Sequence, residues 1–208
     1  MSVNLVLSLL LIACAVNAAA DVVLLWGVGE TDAGPGIEAL AKTPERFVIF
    51  GSMIGLLIIP VWFLIAPYLA RIPGVAGNIA FYSYLIYVAG VFAFHLCYAF
   101  VGLGVQANAQ LEAKFAPLVQ GIASYSFLAS IVFTVALGVS GFTKSVAMQW
   151  YHYASLPLFT IIFFQMILGS ALKSFPHVQS ALGVFAMAVF FIGFMSLVRQ
   201  NPALLGNY

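Results

Sequence analysis

The first apolar run of the chain spans residues 3–26 and reads VNLVLSLLLIACAVNAAADVVLLW. At a rise of about 1.5 Å per residue, this run is long enough to cross the hydrocarbon core of a bilayer as one helix. Its single charged side chain is Asp21, and Asn17 lies one turn earlier on the same helical face. Because an ionisable group at membrane depth is costly, Asp21 is a functional-site hypothesis by default.

The rest of the chain is also strongly apolar. Of 208 residues, 64% are apolar and 6% are charged, with a formal net charge of +1. Soluble domains carry roughly 25% charged residues, and no segment alternates as a barrel strand does. The composition predicts an all-α, polytopic transmembrane helical bundle in the lipid bilayer. We expect one domain over residues 1–208, with no soluble domain and no nucleic-acid-binding surface.

Six apolar runs separated by turn-forming residues predict six membrane spans joined by short loops. Thr43-Pro44-Glu45 is typical of a helix start, and Arg71-Ile72-Pro73-Gly74 is typical of a break between helices. Pro60, Pro67 and Pro157 fall inside helical patterns and are expected to kink them. The predicted spans are 3–26, 46–70, 78–106, 117–141, 150–172 and 178–198.

An even number of spans places both termini on one side of the membrane, called side A, opposite side B. The basic residues number three on side A and four on side B: Arg71, Lys144 and Arg199 against Lys42, Arg46, Lys114 and Lys173. The positive-inside rule therefore leaves the orientation open, and we favour cytoplasmic termini. We expect the first helix to stay uncleaved, because residues 1–4 lack the basic side chains of a signal peptide.

Polar side chains recur at one depth of the predicted bundle. From the rise per residue, Asp21 lies about 27 Å along the first span and His95 about 26 Å along the third, which runs the same way. Carboxylate and imidazole at one depth can share a proton or bind a polar headgroup. The predicted pocket opens towards side B and is lined by Asp21, Asn17, His95, Tyr98, Gln120, Ser124 and Gln165. Alternatively, these residues are ordinary interhelical hydrogen-bonding groups, with Asp21 reaching the membrane interface beside Trp26.

Two further patterns predict how the helices pack. Tyr84, Tyr87, Val91, His95 and Tyr98 recur at helical spacing, and their polar tips favour a stripe that faces protein. The stretch Gly51-Ser52-Met53-Ile54-Gly55 has small residues four positions apart, which permits close helix approach. We favour a packing groove within the chain over a dimer interface.

No motif indicates a cofactor. The chain contains no nucleophile elbow, P-loop or CxxC sequence. Asp21, His95 and His177 make a conceivable zinc site, but no metal-binding spacing supports it. We therefore expect neither metal nor cofactor, and we interpret Cys14 and Cys97 as packing residues within spans rather than a disulfide.

Three short features carry a resemblance. Ala19-Ala20-Asp21 near the end of the first span, the glycine-rich loop after it, and Phe94-His95 in the third span resemble small polytopic bacterial membrane-protein families of unknown function. The resemblance implies a bacterial inner membrane, and it implies no established substrate or catalytic residue.

These observations leave three functional hypotheses. The protein binds or moves a small amphipathic or lipid-like molecule through the polar pocket. Alternatively, it is a non-catalytic subunit or stabiliser of a larger membrane complex, which suits short loops and apolar helix surfaces. In the third hypothesis, it is an intramembrane enzyme that uses Asp21 and His95 as acid and base on a lipid-like substrate.

Overall fold

The structure, a computed structural model, describes residues 1–24, 43–108, 110–168, 171–172 and 181–206. The regular secondary structure of these residues is helical throughout, which confirms the predicted all-α class. The helices are α1 (Val3–Leu24), α2 (Glu45–Ile58), α3 (Ala66–Leu69), α4 (Gly74–Ala107), α5 (Leu111–Phe142), α6 (Trp150–Ala154), α7 (Pro157–Leu168) and α8 (Leu182–Gln200). Two 3₁₀ helices, Ile59–Ile65 and Pro202–Leu204, complete the order.

Five stretches of the described chain are long and apolar enough to cross a membrane: Val3–Leu24, Glu45–Leu69, Gly74–Ala107, Leu111–Phe142 and Leu182–Gln200. They correspond to the first four predicted spans and the sixth, so the organisation is that of a multi-pass membrane protein. Residues 25–26, 169–170 and 178–180 of the predicted spans lie outside the described residues, as do residues 27–42 of the first predicted loop and His177.

The fifth predicted span differs from the expectation. It is divided at Ser155 and Leu156 into the five-residue α6 and the twelve-residue α7. Pro157 is the first residue of α7, and proline lacks an amide hydrogen and disfavours helical geometry in the residue before it. The expected kink is therefore a complete break.

The other prolines do not break the spans that contain them. Pro60 lies within the 3₁₀ helix Ile59–Ile65, and Pro67 is the second residue of α3, so the chain changes helix type without leaving the span. Pro117 was expected to begin the fourth span, but α5 begins at Leu111 and carries this proline inside it. Pro117 lies beyond the first turn of α5, so it leaves the Ala113 carbonyl oxygen without its helical donor, and the helix nevertheless continues through it.

Both ends of the described chain lie at one end of the bundle, side A. The Arg199 side chain, at the end of α8, donates to Asn4 Oδ1 at the start of α1. Arg71 Nη1 donates to the carbonyl oxygens of Leu204 and Leu205, each at 2.9 Å. Helices α1 and α8 are therefore antiparallel neighbours.

The larger core lies between α1, the Ile59–Ile65 helix, α4, α5 and α8. Its largest fully buried side chains are aromatic, among them Trp62, Tyr84, Phe133, Phe190 and Phe191. The Tyr84 hydroxyl donates to the Trp62 carbonyl oxygen at 2.7 Å, which satisfies a polar group inside the core.

The predicted inward stripe on α4 is confirmed. Tyr84, Tyr87, His95 and Tyr98 are buried, and Val91 is partly buried against the larger core. Tyr98 belongs to a second, smaller core near side B, which it shares with Leu24, Val48, Val101, Val105 and Val119. His95 therefore lies where the two cores adjoin.

Candidate functional site

Asp21 and His95 meet inside the bundle. His95 Nε2 on α4 lies 3.2 Å from Asp21 Oδ1 on α1. The side chains are 8% and 13% exposed respectively, so the contact is largely shielded. The equal depth estimated from the rise per residue is matched by a direct contact between the two side chains.

The second ring nitrogen of His95 is also engaged. Nδ1 lies 3.0 Å from the carbonyl oxygen of Val91, one turn earlier on α4. The imidazole is therefore held at both nitrogens, by its own helix on one side and by α1 on the other. Its orientation is set by two hydrogen bonds rather than by packing alone.

Glycines on α2 make this approach possible. A Cβ placed on Gly55 would lie 2.2 Å from His95 Cδ2, closer than side chains ever come. A Cβ on Gly51 would lie 2.8 Å from the Ala20 carbonyl oxygen and 2.9 Å from Leu24 Cβ. The small-residue motif is therefore a packing groove within the chain, as favoured from the sequence. That Gly55 specifically admits the imidazole was not predicted.

Two buried polar side chains on α1 and α2 lack partners. Asn17 is 1% exposed and Ser52 is 0% exposed. The side-chain oxygen and nitrogen of Asn17 have no hydrogen-bond partner among the described residues, and the Ser52 hydroxyl has none either. A buried unsatisfied group costs about 1–3 kcal/mol, so both residues are present despite a penalty. Ser52 was not singled out from the sequence, because a serine in a small-residue motif is ordinarily a packing residue.

Tyr98 completes the interior part of the predicted pocket. It follows His95 by one turn towards side B and is 7% exposed. Its ring packs edge-on against Phe94, with the ring centroids 4.3 Å apart. The structure therefore places Asn17, Asp21, His95 and Tyr98 inside the bundle.

The structure does not bring the other predicted pocket residues to this site. Gln120 and Ser124 are exposed on α5, whose buried face carries Val119, Ser126 and Phe133 instead. The rotation of α5 about its axis turns them outward. Depth follows from the rise per residue, whereas the buried face depends on which helices pack together.

Gln165 is likewise exposed, for a different reason. Helix α7 contacts the bundle through its first turn: the Leu158 amide donates to Thr134 Oγ1, and Thr160 Oγ1 donates to the Ala186 carbonyl oxygen. The buried residues of α7 are Pro157 and Thr160. The half of α7 that carries Gln165 therefore faces away from the Asp21–His95 pair.

Two apolar grooves flank α4 and α5. The larger, here the α4–α5 groove, has a volume of about 560 Å³ and is lined by Ile86, Ala89, Gly90, Ala93, Pro117, Leu118, Gly121, Ile122 and Tyr125. The smaller, here the α4–α5–α7 groove, has a volume of about 210 Å³ and is lined by Tyr87, Val91, Phe94, Ala123, Ser126, Phe127, Ser130 and Ile161. Neither groove is lined by Asp21 or His95, but the smaller one is lined by Val91, whose carbonyl oxygen lies 3.0 Å from His95 Nδ1.

The described residues offer no metal site. No group of three or more His, Cys, Asp or Glu side chains among them is arranged to hold an ion. The conceivable zinc site of Asp21, His95 and His177 includes a residue, His177, that lies outside the described residues. Cys14 and Cys97 are free thiols.

No family model matches the chain, and neither a curated protein nor a solved structure is similar to it. The resemblance based on Ala19-Ala20-Asp21 and Phe94-His95 stays a prediction. Function is therefore inferred from the chain's own residues, and within the described residues the Asp21–His95 pair combines charge, burial and a neighbouring unsatisfied amide.

Proposed function

We propose that this membrane protein binds or moves a small amphipathic or lipid-like molecule at an intramembrane site built on Asp21, His95 and Asn17. The observation that supports it is a shielded acid–imidazole contact beside a buried asparagine whose donor and acceptor both lack described partners. Polar groups at membrane depth are expensive, and proteins tolerate such departures mainly at functional sites. We further propose a bacterial inner membrane with cytoplasmic termini, as the resemblance and the sequence expectation suggest.

The polar end of the molecule would be recognised by hydrogen bonds. The Asn17 amide offers both a donor and an acceptor, and it lies one turn from Asp21 on the same face of α1. A hydroxyl, carbonyl or amide group that pairs with Asn17 would satisfy atoms that the bundle leaves unsatisfied. A ligand that supplied these missing hydrogen bonds would bind only the folded protein, and it would therefore also stabilise the fold.

The apolar end has a place in the α4–α5–α7 groove. Its walls are almost wholly hydrocarbon and aromatic, with Tyr87, Val91 and Phe94 contributed by α4. Val91 links the two parts of the site, because its carbonyl oxygen contacts His95 while its side chain lines the groove. An apolar groove with a few adjacent polar groups is the usual form of a small-molecule site.

The proposal is tested by identifying what the purified protein retains. Native mass spectrometry of protein in lipid nanodiscs should reveal a molecule enriched over bulk lipid. We expect Asp21→Asn to lose most of it, whereas Gln120→Leu, on the outward face of α5, should retain it as a matched control. Bulk lipid alone in the native protein, or equal retention in both variants, would overturn the proposal.

Asn17→Leu should separate stability from binding. In protein stripped of the retained molecule, removing a buried amide without described partners should raise the free energy of unfolding by about 1–3 kcal/mol, because leucine has no polar group to desolvate. The same variant should lose the retained molecule. Unfolding in mixed micelles measures the first effect and native mass spectrometry the second. A variant that is less stable and still loaded would show that the amide is satisfied and structural.

A second candidate, a subunit of a larger membrane complex, is favoured by the outward face of α5. Gln120 and Ser124 are exposed on this helix and make no hydrogen bond within the described part of the chain. An amide facing hydrocarbon is costly unless a neighbour satisfies it. The adjoining α4–α5 groove is lined by the small residues Ala89, Gly90 and Gly121, which would admit a partner helix closely.

Site-specific photocrosslinking tests this candidate. A photoreactive residue at Gln120 should yield one discrete protein adduct in native membranes. The same residue at Val135, which is 56% exposed on the same helix, serves as the control and should yield lipid adducts. Lipid adducts at both positions would contradict a partner on this face.

A further inference from the structure

The two ring nitrogens of His95 each face an oxygen. Nδ1 is 3.0 Å from the Val91 carbonyl oxygen, and Nε2 is 3.2 Å from Asp21 Oδ1. A carbonyl oxygen only accepts hydrogen bonds, so Nδ1 must carry a hydrogen for this contact to be attractive. A bare Nδ1 would set two lone pairs against each other.

The second contact then needs a hydrogen of its own. With Nδ1 protonated, a neutral imidazole has a bare Nε2, which repels an ionised carboxylate. Two arrangements remove the repulsion: an imidazolium donates to the Asp21 carboxylate, or a protonated Asp21 donates to the bare Nε2. In both arrangements one proton lies between Nε2 and Oδ1, and the formal charges of the two side chains sum to zero.

We propose that Asp21 and His95 form a proton-binding site within the bundle, with one exchangeable proton held between Nε2 and Oδ1. The inference rests on the two contacts of His95 and does not require a bound amphipathic molecule. It assigns to the pair a chemical role, because a pair that only filled space in the bundle would not need a shared proton.

Loss of that proton would disrupt the local structure. The Asp21 carboxylate would then be ionised beside the bare Nε2 of a neutral imidazole, and an ionised group in this largely buried place is costly at membrane depth. The imidazole would have to move its hydrogen to Nε2 and turn a bare Nδ1 towards the Val91 carbonyl oxygen, or rotate away. Gly55 packs against the Cδ2 edge of the ring, so rotation towards α2 is blocked.

Among the residues that the structure describes, the surrounding helices bring few other titratable groups to the pair. Helix α1 contributes Asp21, with Cys14 two turns away, and α2 has no titratable side chain from Phe47 to Ile58. On α4, Cys97 and Tyr98 follow His95, and on α5 Tyr125 lines the α4–α5 groove. Proton exchange is therefore assigned to the Asp21–His95 contact itself.

Solid-state NMR of the protein in lipid bilayers tests the assignment. The chain contains three histidines, so His152→Gln with His177→Gln leaves His95 as the single imidazole for ¹⁵N labelling. We expect Nδ1 to resonate as a protonated nitrogen, with Nε2 protonated or accepting a hydrogen bond from the Asp21 acid. The amide of Asp21→Asn has no acidic proton and donates at most a weak hydrogen bond, so Nε2 should move from a protonated or strongly hydrogen-bonded position to that of an unprotonated, weakly hydrogen-bonded nitrogen.

A neutral His95 with hydrogen on Nε2 and a bare Nδ1 would overturn the proposal. So would an unchanged Nε2 resonance in Asp21→Asn. Should the double histidine replacement fail to fold, the fully labelled native protein and Asp21→Asn are compared directly, and the imidazole whose Nε2 responds identifies His95. This readout is separate from ligand retention, so the proton site and the binding site can fail independently.

Discussion

Gly55→Ala should separate the acid from the imidazole without altering either residue. The added methyl would lie 2.2 Å from His95 Cδ2, 2.9 Å from Nε2 and 3.1 Å from Cγ, so the buried ring must move. Overpacking of this kind costs about 1–3 kcal/mol. Helix propensity alone favours alanine over glycine by about 1 kcal/mol, so a measured loss of stability reports the steric conflict.

Unfolding in mixed micelles and the ¹⁵N resonances of His95 measure this effect. The matched control is Gly121→Ala in α5, where no described heavy atom lies within 4 Å of the new methyl. The control should be as stable as the native protein or more so. If the two variants were equally stable and the His95 resonances unmoved, the close approach of α2 to the imidazole would be refuted.

His95→Leu should be strongly destabilising, and Asp21→Leu with His95→Leu should recover most of the loss. Removing one partner of a buried charged pair costs about 3–5 kcal/mol, because the remaining side chain loses the hydrogen bond and the electrostatic attraction of that contact. Replacing both partners by apolar residues is often neutral or stabilising. The imidazole and the carboxylate are 3.2 Å apart, so their contributions are coupled and the double variant cannot be additive.

A double-mutant cycle on unfolding free energies measures the coupling. We expect the double variant to fold as well as the native protein within about 1 kcal/mol and to lose the retained molecule. That outcome would show that the pair is present for its chemistry rather than for stability. An additive cycle, with a double variant less stable than either single variant, would mean that the two side chains act separately.

Properties that depend on local sequence were predicted correctly. Apolar composition and span length determine that these helices suit a bilayer, and the spacing of Tyr84, Tyr87, His95 and Tyr98 determines which stripe of α4 faces inward. The shared depth of Asp21 and His95 follows from the fixed rise per residue. Each of these quantities can be counted along one segment without knowing its neighbours.

Helix limits were less accurate where proline intervened. Pro117 was expected to begin a helix and instead lies inside α5, whereas Pro157 breaks the fifth span completely. The same residue type has both outcomes because the cost of a lost backbone hydrogen bond depends on what surrounds the helix at that point. The neighbouring helices that surround a proline cannot be deduced from the few residues on either side of it in the sequence.

By itself, the sequence determined that this chain forms membrane-depth helices and that an acid and an imidazole lie at one level of them. Only the tertiary structure decided that the two side chains meet, that Gly55 leaves space for the ring, and that Gln120 and Ser124 turn outward. The physical reason is that depth is set by the rise of a single helix. Rotation and contact are set by which helix faces pack together across the whole bundle.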